Sequence, residues 1–348
     1  MLALDRENGV CTCADRRVSL IPGRFYPEMS RSRDIIQQIA EARSRRCIGV
    51  ATAELPLQLF TLEDAFSSLE RKDGELLKYF PVALIASLES YLRAAIKNLI
   101  DSGDPYLSNA EKPASSVKLD FSLLRAIHGK TITVGELVAH GVPLSRLDHI
   151  NSVLTHILGE NFLEKMRVVH SRWDHEVKGK AKEPILGNAD AAFAAVERTF
   201  ELRHIICHES SSAYLPNFEE IENCFDNCMD FLHAADECLS QIQFPDAPLT
   251  QADMNEASGR RLEDKRTELN ISLLKVKEGL QGAEIDAFDK AQGAWEVYCE
   301  AWALFVADEC AEGGTIWPVI YGGVVSASIE RRIEEVRSVR RLSDPPEI

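Results

Sequence analysis

The strongest constraint on this chain is the period of its apolar residues. Across Gly74–Asp101, Leu76, Leu77, Phe80, Leu84, Leu88, Tyr91, Leu92, Ile96 and Leu99 recur at steps of three and four. That spacing lines one face of an α-helix. It returns in Ser32–Arg45 with Ile35, Ile36 and Ile39, and in Phe218–Gln243 with Ile221, Cys224, Phe225, Cys228, Phe231, Leu232 and Leu239. The two-residue alternation of half-buried strands is nearly absent. The expectation is an all-α chain, a helical bundle followed by a small C-terminal helical domain.

Breaks in the pattern divide the chain. Residues 1–25 hold no period and read as a loosely ordered lead-in, part of an N-terminal extension over 1–60 that is partly helical. Leu55–Leu59 reads as a short extended piece, with Thr61 capping Leu62–Arg71. Pro81 predicts a break, with a continuous helix from Val82. Leu107–Lys118 is polar, with Pro and Ser, and reads as a loop. Short helices are expected at Phe121–Ile127, Val134–His140, from Ser145 or Leu147 to Leu158, and at Phe162–Val169. Lys178–Pro184 is a basic, turn-rich linker, after which Asn188 or Asp190 caps a helix through Ile206. Asn217 caps the next. These elements form a bundle over 61–245. Beyond the two prolines of Phe244–Pro248, a module over 251–342 comprises Thr250–Leu280, Ala283–Glu309 and Pro318–Arg341 around a Gly313-Gly314 turn. The tail Ser343–Ile348 is expected to be disordered.

Composition excludes several function classes. A formal charge of −16 argues against a broad nucleic-acid-coating surface, though not against a local phosphate site. Only residues 1–60 are net basic. Nine cysteines, an odd number scattered over 348 residues, are unlike a disulfide scaffold. Cys11-Thr-Cys13 and Cys224/Cys228 lack a second pair at zinc spacing, so no metal site is expected. Residues 1–20 do not read as a secretory signal, and no run approaches the length of a membrane span. The expectation is a cytoplasmic, reduced chain that needs no cofactor.

The chemistry-bearing stretch is Glu201-Leu-Arg-His-Ile-Ile-Cys-His-Glu209. Arg203, His204 and His208 close a long helix ahead of Ser210-Ser211-Ser212, and another long helix comes next. Five positions place Arg203 and His208 about 140° apart around a helix axis, so they meet more easily if the helix frays at Cys207-His208. A second pair, Arg198 and His204, has similar spacing.

In that setting the stretch resembles the HEPN superfamily, helical bundles whose signature is Arg, a polar residue and His, spanning four to six residues at the end of the third core helix. Phe80–Leu92 is similar to the first long helix of several large prokaryotic HEPN families. Ile132–His140, Ile150–Gly159 and Phe162–Lys165 are similar to their middle segment, so the likeness covers about 75–245. It implies a metal-independent endoribonuclease acting as a homodimer with two motifs side by side, in a setting such as a toxin or antiviral defence effector. Other members keep the fold and have lost the chemistry. The residues suit the reaction: an imidazole takes the 2′-OH proton at neutral pH, and arginine holds the charge developing on phosphorus. The resemblance makes His208 the acid/base, Arg203 the phosphate clamp and His204 a polar helper. Lys178, Lys180 and Lys182 are candidates to guide RNA, and Glu209 to orient an imidazole.

The C-terminal module carries a second resemblance. Ala291-Gln-Gly-Ala-Trp295-Glu-Val-Tyr298-Cys-Glu300, then Gly313-Gly314-Thr315-Ile316 and Tyr321, then Arg332–Val336, are similar to the LprI-type lysozyme-inhibitor family over about 251–340. Cys299 stands where that pattern has Arg, and the family's cysteine positions fall near Ala303 and Gly323, so its disulfide is absent. This implies the same helical fold reused to dock a protein partner or trigger; lysozyme inhibition would call for export. Trp295, Tyr298, Trp302, Phe305, Trp317 and Tyr321 read as core aromatics, and Cys224, Cys228 and Cys238 as buried small apolar residues. The alternative to catalysis is a HEPN nucleotide-binding or scaffold protein.

Overall fold

The computed structural model describes residues 31–44, 51–69, 74–115, 121–129, 131–209 and 215–343. Among them every regular element is helical, and the β-type pairing is one isolated antiparallel bridge between His170 and Pro184. The chain is all-α. The lead-in 1–25, Ser210–Ser212 and the tail beyond Ser343 lie outside the described residues.

In chain order the helices are α1 (Arg31–Ser44), α2 (Ala51–Ser67), α3 (Gly74–Leu77), α4 (Tyr79–Asp101), α5 (Tyr106–Asn109), α6 (Glu111–Ala114), α7 (Phe121–His128) and α8 (Val134–Gly141). Then come α9 (Leu147–Leu158), α10 (Phe162–Val168), a π-helical turn at Trp173–Val177, α11 (Ala189–His208), α12 (Phe218–Gln243), α13 (Gln251–Lys277), α14 (Ala283–Ala311) and α15 (Trp317–Ser343). Contacts divide the described residues into two units: those up to Glu54 with Tyr91–Val142, and Leu55–Ser90 with those from Pro143 onward.

In the first unit, Ile39 of α1, Leu123 of α7 and Ile132 and Leu137 around α8 form a core, with Ile35, Ile36 and Ile127 against it. The capping box of α8 is complete: Thr133 Oγ1 accepts from the Glu136 N–H, and the Glu136 carboxylate accepts from the Thr133 N–H. In the second unit, Phe66 of α2 meets Phe80 of α4 edge-on at 4.9 Å and stacks on Phe225 of α12 at 4.4 Å. The far module has its own core, in which Leu269 of α13, Cys299 and Ala303 of α14, and Val325, Ile329 and Ile333 of α15 are buried together.

Several sequence expectations need correction. Leu55–Leu59 is not extended. It belongs to α2, with Pro56 inside the helix, because Leu55, Leu59 and Leu62 all bury on one face and outweigh the lost hydrogen bond. Pro81 does not break α4; it sits in the first turn, where an N–H has no partner to lose. Leu107–Lys118 is not simply a loop, since most of α5 and all of α6 fall within it. α11 runs unbroken to His208, with the Glu209 N–H donating to the Ile205 carbonyl at 3.1 Å. The expected fray at Cys207-His208 is therefore absent.

Candidate functional site

α11 is opened by Asn188, whose side chain accepts from the Ala191 N–H at 3.2 Å. Its buried face is Ala192, Phe193, Ala195, Val196, Thr199, Phe200 and Leu202. Burial of Leu202 sets the facing of the last two turns: Arg203 is half-buried beside it, while His204 and His208 are exposed. One turn apart on an intact helix, the two imidazoles share a face, their ring centroids 5.2 Å apart. Arg203 and His208, five positions apart, keep their angular separation.

Beside this face lies a groove of about 820 Å³. Glu197, Phe200, Glu201, Arg203, His204 and Ile205 form one wall, and Ser145–Asp148 at the start of α9 form another, with Glu209 at the rim. Arg203 and His204 thus open into one space. His208 does not line it and reaches it only through its contact with His204.

The two arginines with the right spacing are told apart by their partners. Arg198 donates to Glu201 at 2.9 Å and to Glu220 of α12 at 2.8 Å, an ion-pair clasp between helices. Arg203 has no ion pair or hydrogen bond to another described residue, and its guanidinium remains available for an anion. Arg146 is a groove residue that the sequence alone does not single out. It stands at the N-cap of α9 in extended backbone, makes no capping bond, and lines the groove across from Arg203. Its only sequence signal is its place just ahead of an amphipathic helix.

The lysine candidates behave otherwise. Lys178 and Lys180 each contact Asp174 at 2.8 Å, and hydrogen bonds from these lysines hold the Asp174 carboxyl below its usual range. Lys182 is exposed, and none of the three lines the groove. The structure does not bring them to Arg203 and His204.

The cysteines of α12 are buried as the sequence suggested. Burial pushes the Cys228 thiol up to about 12 and Cys238 up to about 11. The aromatic expectation for α14 fails in part: Trp295 is half-buried against the module's core, but Tyr298, Trp302 and Phe305 point outward, 59%, 42% and 55% exposed. The inner positions of α14 are taken by Gln292, Cys299, Ala303 and Ala307. That small inner face leaves the bulky side chains on the solvent side.

Comparison with known proteins agrees with this C-terminal module. The family model "Lysozyme inhibitor LprI" matches residues 245–336, which take in the start of α13 through most of α15. Over 99 residues the chain is 33% identical to a phosphopantetheine adenylyltransferase of Carboxydothermus hydrogenoformans, covering 27% of this chain and 59% of that protein. The chain therefore spans less than two thirds of that relative's length. No solved structure matches the chain. Among the described residues, no helix is long and apolar enough to cross a membrane.

Proposed function

We propose that the bundle is a HEPN-type, metal-independent endoribonuclease and that the LprI-like module docks a protein partner or trigger. The supporting observation is that Arg203, free of any described carboxylate, opens with His204 into one groove, with the His208 ring against His204. In this reading an imidazole takes the proton of a ribose 2′-OH and the 2′-oxygen attacks phosphorus. The bond from phosphorus to the 5′-oxygen breaks, and a second imidazole returns a proton to that oxygen. Arg203 holds the non-bridging phosphate oxygens. The products are a 2′,3′-cyclic phosphate and a 5′-hydroxyl. His204 faces the groove, so it takes a direct part, and His208 acts beside it. A homodimer through the bundle would set two such motifs together, and a cytoplasmic defence or toxin role rests only on family likeness.

A second reading is a non-catalytic nucleotide-binding or scaffold protein, and its scaffold form is favoured by the carboxylates Asp148, Glu197, Glu201 and Glu209 on the same groove. They work against binding a polyanion. Incubation of single-stranded RNA with the full chain in EDTA decides between the two. Cleavage to cyclic-phosphate ends, lost in Arg203→Ala and His204→Ala, supports the nuclease. Intact RNA at stoichiometric protein, or equal cutting by both variants, rejects it.

A further inference from the structure

The outer face of α14 is apolar where a two-helix contact requires it to be. Ala287, Ala291, Ala294, Tyr298, Ala301, Phe305 and Asp308 succeed one another at alternating steps of four and three, and all are exposed. That is a heptad seam over three repeats, on the side opposite the buried Cys299, Ala303 and Ala307. A second apolar stripe, on the side opposite the one its own chain covers, offers a surface for a partner helix.

We propose that this seam pairs with the same seam of a second copy, antiparallel, about a two-fold axis at Tyr298. The sequence along the seam is self-complementary in that direction alone. Its N-terminal half is all alanine and its C-terminal half carries Phe305, so antiparallel pairing sets Ala291 against Phe305, with Ala294 close to Ala301. It also brings Lys290, which has no described ion pair, within reach of Asp308, which accepts only from Trp317 Nε1, at 2.8 Å, among the described residues. Parallel pairing would set Lys290 on Lys290 and Asp308 on Asp308. The contact is isologous, as a closed dimer demands.

α14 carries seven acidic residues and one lysine, which at first opposes self-association. The three in its middle are off the seam and engaged within their own chain. Asp289 pairs with Lys277, Glu296 accepts from Gln292 at 3.2 Å, and Glu300 accepts from Tyr321 at 2.7 Å. The seam itself bears an acid only at the Asp308 end. An aromatic side chain buries about 150–250 Å², so Tyr298 and Phe305 on the seam and Trp302 on its flank, each roughly half exposed, offer about 300 Å² per copy. With Val297, Leu304 and the alanines, two copies reach only the low end of the roughly 1,200–2,000 Å² of specific interfaces. A micromolar dimer is the expected result.

The contact is separate from the ribonuclease groove and does not depend on that reading. It is tested on the full chain carrying Cys207→Ser and Cys310→Ser, which remove the exposed native thiols of the described residues. Ala294→Cys and Ala301→Cys chains are mixed under mild oxidation, and the linked peptides are read by mass spectrometry. A 294–301 disulfide in the mixture, with little self-linking of either chain, is the expected result. Self-linked Ala294→Cys would mean parallel pairing, and no link at concentrations up to about 100 µM would mean that α14 meets something other than its own copy. Either overturns the proposal. Lys290→Glu should weaken the link-forming dimer about five-fold, and adding Asp308→Lys should restore it. A dimer made through the bundle alone would leave the 294–301 link absent.

Discussion

Arg43 closes on Glu136 with two parallel donors, Nε to Oε1 at 2.7 Å and an Nη to Oε2, tying α1 to α8 across 93 residues of sequence. The other Nη donates to the Thr131 carbonyl at 2.7 Å. Burial alone would raise the Glu136 carboxyl; hydrogen bonds from Arg43 and the Thr133 N–H, with the charges of Arg43 and Lys97, outweigh it and hold it below the usual carboxylate range. A carboxyl lowered in the folded state adds stability above its unfolded pKa, and that stability is lost as pH falls through the folded value.

The first prediction rests on that sign. Arg43→Ala strands a carboxylate whose side chain is only 6% exposed, while the Arg43 side chain is 42% exposed and partly screened. The cost should be about 2 kcal/mol, below the roughly 3–5 kcal/mol of a wholly buried pair. Urea titration at pH 7 measures it. The gap between wild type and variant should narrow as pH falls and Glu136 takes up its proton, first in the variant, where Arg43 no longer offsets burial, and then in the wild type. A gap that widens instead would contradict the assignment.

Gly135 marks a second tight point. A Cβ there would stand within 3.0 Å of the Lys97 carbonyl oxygen and the Asp101 carboxylate. Asp101 accepts from the Gly135 N–H at 3.0 Å and from Thr133 Oγ1 at 2.8 Å, so the first turn of α8 is drawn onto the last turn of α4. Gly135→Ala must push these apart and should cost about 1–3 kcal/mol, as overpacking does. Gly293→Ala, on an open helix surface, should be neutral or slightly stabilising. Thermal denaturation of both separates crowding from propensity.

How much of this was legible depends on what a sequence encodes locally. The stripe of α4, the Asn217 cap and the three long C-terminal helices are properties of neighbouring residues and were readable. α2 was not, because its helix rests on burying Leu55, Leu59 and Leu62 on one face, which local proline chemistry does not reveal. Arg203 and His204 were readable as a motif. Arg146, from 57 residues earlier in the chain, joins them only through tertiary packing, and the choice between Arg198 and Arg203 needed the positions of Glu201 and Glu220. The outward aromatics of α14 were misread for the same reason: a helix with two apolar faces does not say which one its own chain will cover.

Thiol chemistry gives a third prediction. Cys228 is buried, donates to Thr199 Oγ1 at 3.3 Å, and is pushed up to about 12, so at pH 8 it is almost wholly protonated. Cys207 and Cys310 are exposed. A thiol reagent added to native protein should label Cys207 and Cys310 quickly and leave Cys224, Cys228 and Cys238 to react only on unfolding. Peptide mapping after a short pulse identifies the sites, and early labelling of Cys228 would show that α12 does not bury its cysteine face.

The groove arginines make the sharpest contrast between stability and activity. Arg198 spends its donors on Glu201 and Glu220, so Arg198→Ala should loosen α11 from α12 by about 0.5–1 kcal/mol, the range of a partly exposed ion pair. Arg203→Ala removes no described partner, so it should leave urea stability within about 0.5 kcal/mol while abolishing RNA cleavage. Arg146→Ala should act between these on RNA alone. It reaches the groove from the opposite wall, where a neighbouring phosphate of a bound strand would lie, so affinity should fall and its salt dependence should lose about one counterion. Filter binding at two salt concentrations measures that slope. An unchanged slope in Arg146→Ala, with Arg203→Ala defective, would place the strand along another path. An unchanged slope in both would mean that RNA does not enter this groove, because the other ionisable lining groups among the described residues are His204 and four carboxylates.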